Sequence, residues 1–439
     1  MARPRAHIPL NVYLNSRLVG RLNRQSSGAV DFTYDQSWLD WPSAIAVSLS
    51  LPLREDHFIG APVSAVFDNL LPDNDAIRRR MAEQVHASGT DAYSLLAAVG
   101  RDCVGALQFL PDGIEPGPAG AVEGKMVSDA EIADIISNLA SAPLGLSDDQ
   151  DFRISIAGAQ EKTALLFHEG RWEKPLGTTA TTHILKPQIG HLPNGIDLTN
   201  SVENEFFCLK LTKALGLPSA EVAMVTFDDK RVLVVERFDR RWTQDGRLLR
   251  LPQEDFCQAL SVPPHLKYES DGGPGIPALL NLLKGSDTPE ADQSVLIKAL
   301  AVFWLIGATD GHAKNFSIQM APGGRFHLAP LYDILSAEPS FQRGQIRRNK
   351  MKLAMAVGNS RHYTLGTIVP RHFTETAAKA GIGASVVKRT FDELKADMPK
   401  ALSDVMSALP DGFPQAIGDA VSASCEARLR LLNQSQVTD

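Results

Sequence analysis

Short apolar runs punctuated by polar turns fill the first half of the chain, and apolar stripes of helical period fill most of the second. Val12-Tyr13-Leu14 and Leu18-Val19-Gly20-Arg21-Leu22 flank Asn15-Ser16-Arg17, a pattern that predicts a hairpin. Residues 29–34 and 46–53 read as further strands. Asp73 or Asn74 caps a helix over 76–85, and a second helix runs over 92–99. Residues 111–120 hold three prolines and three glycines, which suits a loop rather than helix or strand. Strand-like runs follow at 163–167, 183–186, 222–227 and 231–236. Between them a helix over 203–215 is closed by Gly216, with Pro218 just beyond. From residue 289 onward the pattern is mainly helical. Residues 294–306 are apolar almost all round, which predicts a buried helix, and three more helices are expected over 384–397, 401–409 and 416–432. The layout is α+β: an N-terminal module over 1–110, a loop over 111–125, a sheet-rich lobe over 126–250 and a helical lobe over 251–439.

Composition narrows the function classes. At roughly 100–200 residues per domain, 439 residues allow two to four domains. Hydrophobic residues at 44% and charged residues at 22% exclude a disordered chain. Lys and Arg number 44 against 51 Asp and Glu, a net charge of −7, which excludes coating of nucleic acid by global charge. Cys103, Cys208, Cys257 and Cys425 form no Cys-x-x-Cys pair, so a zinc ribbon is excluded and a reducing compartment is expected. No signal peptide is visible. The most apolar stretch, 299–308, is far shorter than the roughly 20 residues of a membrane span. A soluble, cytoplasmic protein is expected.

The chemistry concentrates in Asp310-Gly311-His312-Ala313-Lys314-Asn315-Phe316. A strand-like segment at 316–320, a Pro322-Gly323-Gly324 turn and a return strand at 326–329 separate it from Leu331-Tyr332-Asp333. The ends of a hairpin meet, so Asp310, Asn315 and Asp333 are expected to converge. A carboxamide and a carboxylate are hard oxygen ligands for Mg²⁺, and a second carboxylate can accept the proton of an attacking hydroxyl. That is the phosphoryl-transfer arrangement of protein kinases, Asp-x-x-x-x-Asn followed by a metal-binding Asp. The His-Arg pair that precedes the kinase aspartate is replaced by Ala308-Thr309, and Asp-Phe-Gly becomes Asp333-Ile334-Leu335. His312 instead resembles the Asp-Arg-His-x-x-Asn loop of lipid kinases and atypical protein kinases. Lys186 ends a strand, where a phosphate-binding lysine would stand, and Glu203 or Glu205 on the next helix would pair with it. The loop 154–163 is small-residue rich, but Glu161 stands where a Walker loop needs glycine. Glu236, Arg237 and Phe238 follow an apolar strand at the place of a kinase hinge.

Phe67-Asp68-Asn69-Leu70-Leu71-Pro72-Asp73, Ser155-Ile156-Ala157-Gly158-Ala159-Gln160-Glu161-Lys162 and the Asp310–Phe316 stretch resemble the HipA family of bacterial serine/threonine kinases. Members of that family are the toxin halves of HipA–HipB toxin–antitoxin modules. Gly272-Gly273-Pro274-Gly275 and Pro370-Arg371-His372-Phe373 add to the likeness. The resemblance implies a two-lobed, protein-kinase-like fold of the atypical, lipid-kinase-like kind, with an added N-terminal α+β subdomain and a mainly helical C-lobe. It implies ATP and Mg²⁺ as cofactors. Asp310 would be the catalytic base, and Asn315 and Asp333 would hold the metal. Lys186 would contact the α- and β-phosphates, and Ala157, Gly158, Ala159, Gln160, Glu161 and Lys162 would line the phosphate site. Glu236, Arg237 and Phe238 would bind adenine, with His312, Ala313, Lys314, Asn315, Tyr332 and Asp333 completing the pocket. Ser155 matches an autophosphorylated serine.

The same resemblance implies a helix-turn-helix antitoxin as partner, operator DNA reached mainly through it, and glutamyl-tRNA synthetase as substrate, with growth arrest and persistence as outcomes. Lys379 and the cluster Arg343, Arg347, Arg348, Lys350 and Lys352 are local basic candidates for DNA, and the cluster, which follows Asp333, could equally be an activation-loop analogue that grips substrate. Two rivals stand beside this reading: a small-molecule kinase of the same fold, and a non-catalytic transcriptional co-repressor.

Overall fold

The structure, a computed structural model, describes residues 8–146, 152–158 and 160–434. The chain divides into two compact units. The first comprises Met1–Pro187, Val225–His265 and Ile318–Phe326, and the second Gln188–Met224, Leu266–Ser317 and His327–Asp439.

Within the first unit, a five-stranded antiparallel sheet runs in the order Phe58–Ile59, Val30–Tyr34, Arg17–Arg24, Leu10–Leu14, Leu107–Pro111. The expected hairpin is its middle, with Leu14 opposite Arg17. Asn74 caps the helix Asp75–Gln84 through its side-chain oxygen, which accepts the N–H groups of Ala76 and Ile77. The helix Ala92–Val99 falls where the pattern put it. Phe32, Trp38, Phe67 and Phe109 are buried in one core with Phe152, Ile154 and Ile156, so the N-terminal module does not close on itself. A six-stranded sheet, in the order Val222–Phe227, Lys230–Glu236, His183–Pro187, Thr163–His168, Arg171–Pro175, Gly124–Met126, contains the four expected strands and two that the pattern does not predict, Arg171–Pro175 and Gly124–Met126, the latter overlapping the end of the expected loop.

Residues 46–53 are not a strand. Leu51 N–H donates to Ser48 O at 3.0 Å, making a tight turn, and Ser48 and Ser50 send their hydroxyls to Gln258 O. Pro52, which has no N–H, could not continue a ladder. The buried Val47 and Leu51 produce the alternation without the strand.

The second unit is helical, built around Pro289–Ile306, which is buried along nearly its whole C-terminal two-thirds and carries Trp304 at zero exposure. The helices Ser201–Ala214, Ala384–Ser407 and Gln415–Gln434 pack on it. Ala384–Ser407 is one helix rather than the two expected, with Pro399 inside it. Its buried stripe, Leu394, Met398, Ala401, Leu402 and Val405, continues across the proline at helical spacing. Packing of that stripe outweighs the ~3 kcal/mol that an interior proline costs. No helix among the described residues is long and apolar enough to cross a membrane. All four cysteines are buried, and burial pushes the Cys103 thiol up to about 12, so it is held as the neutral thiol.

Candidate active site

In the second unit, the helix Pro289–Ile306 runs directly into the loop bearing Asp310. Ser336 and Asn204 fasten that junction: Ser336 Oγ donates to Ile306 O at 2.6 Å, and Asn204 exchanges two hydrogen bonds with the Ser336 backbone. Gly311 lies over the Phe303 ring, where a Cβ would stand 2.5 Å from a ring carbon. Only glycine lets the loop pass there, which leaves Asp310 exposed at its crest and His312, Lys314 and Asn315 buried beneath.

Asn315 Nδ2 donates to Asp310 O at 2.8 Å, which orients the carboxamide so that its oxygen is the end left for a ligand. The base of the following hairpin closes where Ala329 N–H donates to Ser317 O at 2.9 Å. Tyr332 Oη donates to Lys314 O at 2.9 Å and lies 2.6 Å from Ser317 Oγ. The hairpin therefore ties the chain after it to the loop before it, and Asp333 follows Tyr332 at φ +59°. A non-glycine residue in the left-handed region stores strain that surrounding contacts must hold. The donor set of Asn315 and Asp333 is hard oxygen, which fits Mg²⁺ bound jointly with nucleotide phosphates. Among the described residues no group of three or more His, Cys, Asp or Glu is placed to hold a metal ion.

Tyr268 is a member of this site that the motifs do not indicate. Its hydroxyl donates to Asp310 Oδ1 at 2.7 Å, and its ring meets His312 edge to face at 4.9 Å. It lies 42 residues from Asp310 in sequence, just ahead of Gly272-Gly273-Pro274-Gly275, and nothing in that stretch points to Asp310. Glu203, buried, accepts from Gln188 Nε2 at 2.7 Å, and Glu205 is equally buried.

The first unit holds the other predicted residues. Lys186 is buried on the strand His183–Pro187, opposite Leu233. The loop 154–162 lies against the Phe67–Asp73 motif. Ser155 is at zero exposure, with Oγ donating to Leu70 O at 2.8 Å and N–H to Asp102 O at 2.9 Å. Gly158 bridges Pro72 at φ +110°, and Lys162 Nζ, donating to Ala157 O at 2.8 Å, fills the space that a Cβ at Gly158 would need. Gln160 Nε2 donates to Pro187 O at 3.0 Å, and Glu161 pairs with Arg80 at 3.5 Å. Ala159 lies outside the described residues.

Arg237 points into a buried cluster. Its guanidinium bonds Asp239 and Asp102, Arg240 and Arg250 also pair with Asp102, and each of these side chains is at most 5% exposed. Burial raises the Asp102 pKa, but Arg240, Arg250 and Arg237 more than offset this and hold its carboxyl well below the usual range. Arg237 N–H donates to Thr182 O, so neither its guanidinium nor its amide is left for a nucleotide; Phe238 gives its carbonyl to Gln319 Nε2 at 3.2 Å, and Glu236 is exposed.

The basic residues of the second unit separate. Arg343 pairs with Asp197, and Arg348 with the buried Glu338, which also holds Arg428 at 2.6 Å. Arg347, Lys350 and Lys352 are exposed. Lys379 Nζ donates to Gly358 O at 2.9 Å.

Models of two domains match the chain, the HipA N-terminal domain over residues 10–110 and the HipA-like C-terminal domain over 154–402. Y4mE, a protein of Sinorhizobium fredii named as a kinase, is 35% identical over 408 residues, covering 92% of this chain and 93% of that one. The serine/threonine-protein kinase toxin HipA of Shewanella oneidensis is 26% identical over 419 residues, covering 92% and 90%. A solved structure of Shewanella oneidensis HipA, with HipB and its operator DNA, matches the fold with a TM-score of 0.82 at 24% identity, covering 98% of this chain and 100% of that one. The chain is thus a kinase of the two-lobed, kinase-like fold. It belongs to the HipA family of serine/threonine kinase toxins.

Proposed function

We propose that the chain transfers the γ-phosphate of ATP to a serine hydroxyl of a protein, as the toxin of a toxin–antitoxin pair. The observation that carries this is the polar group at the base of the 317–328 hairpin. An exposed Asp310 carboxylate stands beside an Asn315 whose amide nitrogen is already fixed, with Asp333 held just past the tethered Tyr332. The acceptor hydroxyl bonds Asp310, which takes its proton as the new O–P bond forms and the bond from the γ-phosphorus to the bridging oxygen breaks, releasing ADP. Asn315 Oδ1 and Asp333 hold Mg²⁺, which supplies countercharge to the phosphates when bound. Lys186, Lys162, the loop 157–162, Glu236 and Phe238 serve the nucleotide, as do His312, Ala313, Lys314 and Tyr332; Arg237, held by the Asp102 cluster, does not.

Ser155 is the proposed autophosphorylation site. Phosphate there adds about −1.5 to −2 charge. The buried hydroxyl site against Leu70 O has no room for it, so the loop must leave and nucleotide affinity falls. Unchanged ATP affinity in protein phosphorylated on Ser155 would refute that step. The partner is a helix-turn-helix antitoxin of the HipB type, through which the acidic chain reaches operator DNA. The substrate follows from the family likeness: glutamyl-tRNA synthetase, whose modification arrests translation.

Labelled ATP, the purified chain and a bacterial lysate, followed by mass spectrometry, test the proposal. Labelled phosphoserine in a protein is the expected result, and phosphate appearing only on metabolites would overturn it. Asp310→Gln should abolish growth arrest while sparing operator binding with the antitoxin. A mutant that still arrests growth would make the chain a co-repressor that does not act by phosphorylation.

A further inference from the structure

The buried helix Pro289–Ile306 ends at Gly307, in the left-handed conformation at φ +72°, just ahead of the loop bearing Asp310. The last carbonyls of a helix have no partner within it, and its C-terminus favours a cation. Both needs are met from the far end of the chain. Arg428, on the C-terminal helix Gln415–Gln434, donates through Nη1 to Leu305 O at 2.9 Å, and Ser424 Oγ donates to the same carbonyl at 2.8 Å. The next carbonyl, Ile306 O, takes its bond from Ser336 Oγ, in the segment that follows Asp333.

The same guanidinium also reaches that second segment. Arg428 Nη2 donates to Glu338 Oε1 at 2.6 Å, and the two side chains are 8% and 3% exposed. Glu338 is seated by its neighbours. Its N–H donates to Ser336 Oγ at 3.1 Å, the Ala337 N–H donates to Gly307 O at 2.9 Å, and Ala308 bridges Ser336. A Cβ at Gly307 would stand 2.7 Å from Glu338 Cγ, so the glycine leaves this carboxylate its place. Glu338 has a second cation, Arg348, at 3.2 Å, but that side chain lies over the Phe341 ring and is 49% exposed, where solvent screens the pair.

Arg428 thus joins the chain entering the Asp310 loop to the chain leaving Asp333 through one planar fork. A buried Arg–Glu pair is weak evidence for stability, since apolar side chains of similar volume often serve as well. What the fork adds is fixed geometry. Asp310 acts on the acceptor and Asp333 on the metal at the phosphates, so their spacing sets how well the attacking oxygen is aligned. We propose that Arg428 is a positioning residue for the transfer: by holding Leu305 O and Glu338 at once, it fixes Asp310 against Asp333. The inference rests on the kinase reading above and adds to it the device that keeps the reacting groups in register.

The test uses the full-length chain with magnesium ATP, following ADP release, thermal melting and amide exchange. Arg428→Met with Glu338→Gln removes both charges of the pair together, so a cooperative melt should remain. Its kcat should fall about 10- to 100-fold, the cost of a small misplacement of reacting groups, while KM for ATP stays within about twofold. The amides of Ala308 and Ala337, which bond across this junction, should exchange faster. Arg428→Lys offers one nitrogen to two acceptors that the fork serves with two, so it should fold, keep its KM and lose kcat by a smaller factor. It decides the matter if the double variant does not melt cooperatively. Leu394→Ala loosens the packing of the same helix beside Glu393, whose partner Lys298 lies ~10 Å back along the helix from Leu305. It should lower the melting temperature and leave kcat as it is. Wild-type kcat in Arg428→Lys or in the folded double variant overturns the inference, as does a loss confined to KM for ATP or an equal loss of kcat in Leu394→Ala. Each of these leaves the kinase reading standing. A wild-type chain that releases no ADP from magnesium ATP refutes the kinase reading and the inference with it.

Discussion

Two loops carry the polar residues of interest, and they are built in opposite ways. The loop 154–162 hides its chemistry: Ser155 has zero exposure, with hydroxyl and amide both spent on carbonyls of the N-terminal module. The loop 310–316 displays its chemistry: Gly311 lifts the chain over Phe303 and Asp310 emerges exposed. Each loop depends on an aspartate, but the two do different work. Asp102 is buried among three arginines and gives its carbonyl to Ser155, so it carries stability. Asp310 has only to be accessible and ionised, so it carries rate. A buried carboxylate with three cations is a structural device, and a carboxylate at a loop crest is a chemical one.

The largest expected effect tests the second half of that contrast. Asp310→Asn should lower phosphate transfer about 10²- to 10⁴-fold, the usual worth of a general base, with little change in melting temperature. Measured side by side, a large fall in melting temperature with Asp310→Asn would show that the displayed loop is structural after all.

Asp102→Ala tests the first half. It leaves three buried guanidiniums short of their shared carboxylate, which should cost about 3–5 kcal/mol, read from thermal or urea unfolding. Backbone amides over 153–158 should also exchange faster with solvent, because the carbonyl at 102 that takes the Ser155 N–H is no longer fixed by the buried carboxylate cluster. The pH dependence has a definite sign. The folded pKa of Asp102 is depressed, so its contribution is present above the ordinary aspartate value of about 3.9 and is lost as pH falls through the lower, folded value. Asp102→Asn should flatten that part of the acid unfolding profile. An unaltered acid limb would mean that the cluster does not set it.

What could be read from residue order divides along the same line. Asp310, Asn315 and Asp333 lie within one helix–loop–hairpin segment, and local pattern suffices to expect them together. Local pattern fails where packing over long separations decides. The Asp102 cluster joins residues 135 to 148 positions apart, and in sequence Arg237 looks like part of a hinge when its guanidinium belongs to that cluster. Residues 46–53 alternate like a strand because two apolar side chains are buried on either side of a serine turn. Pro399 reads as a helix stop because the stripe that overrides it is satisfied only by distant helices.

Ser155→Ala is a milder probe of the hidden loop. It removes one buried hydrogen bond, so the loss should be about 1 kcal/mol, confined to faster exchange over 153–158. Global unfolding should be nearly unaffected, since the Asp102 carbonyl still holds the backbone at 155. A global loss as large as that of Asp102→Ala would place the anchor at the hydroxyl instead.

The smallest effect concerns Tyr268, where the contrast is least sharp. Its hydroxyl already donates to Asp310 Oδ1, so the displayed carboxylate is partly occupied before any acceptor arrives. An incoming serine must share that carboxylate or displace the phenol. An exposed hydrogen bond contributes on the order of 1 kcal/mol or less, so Tyr268→Phe should lower the acceptor KM about two- to fivefold. If kcat falls instead while KM holds, Tyr268 orients the base rather than competing with the acceptor.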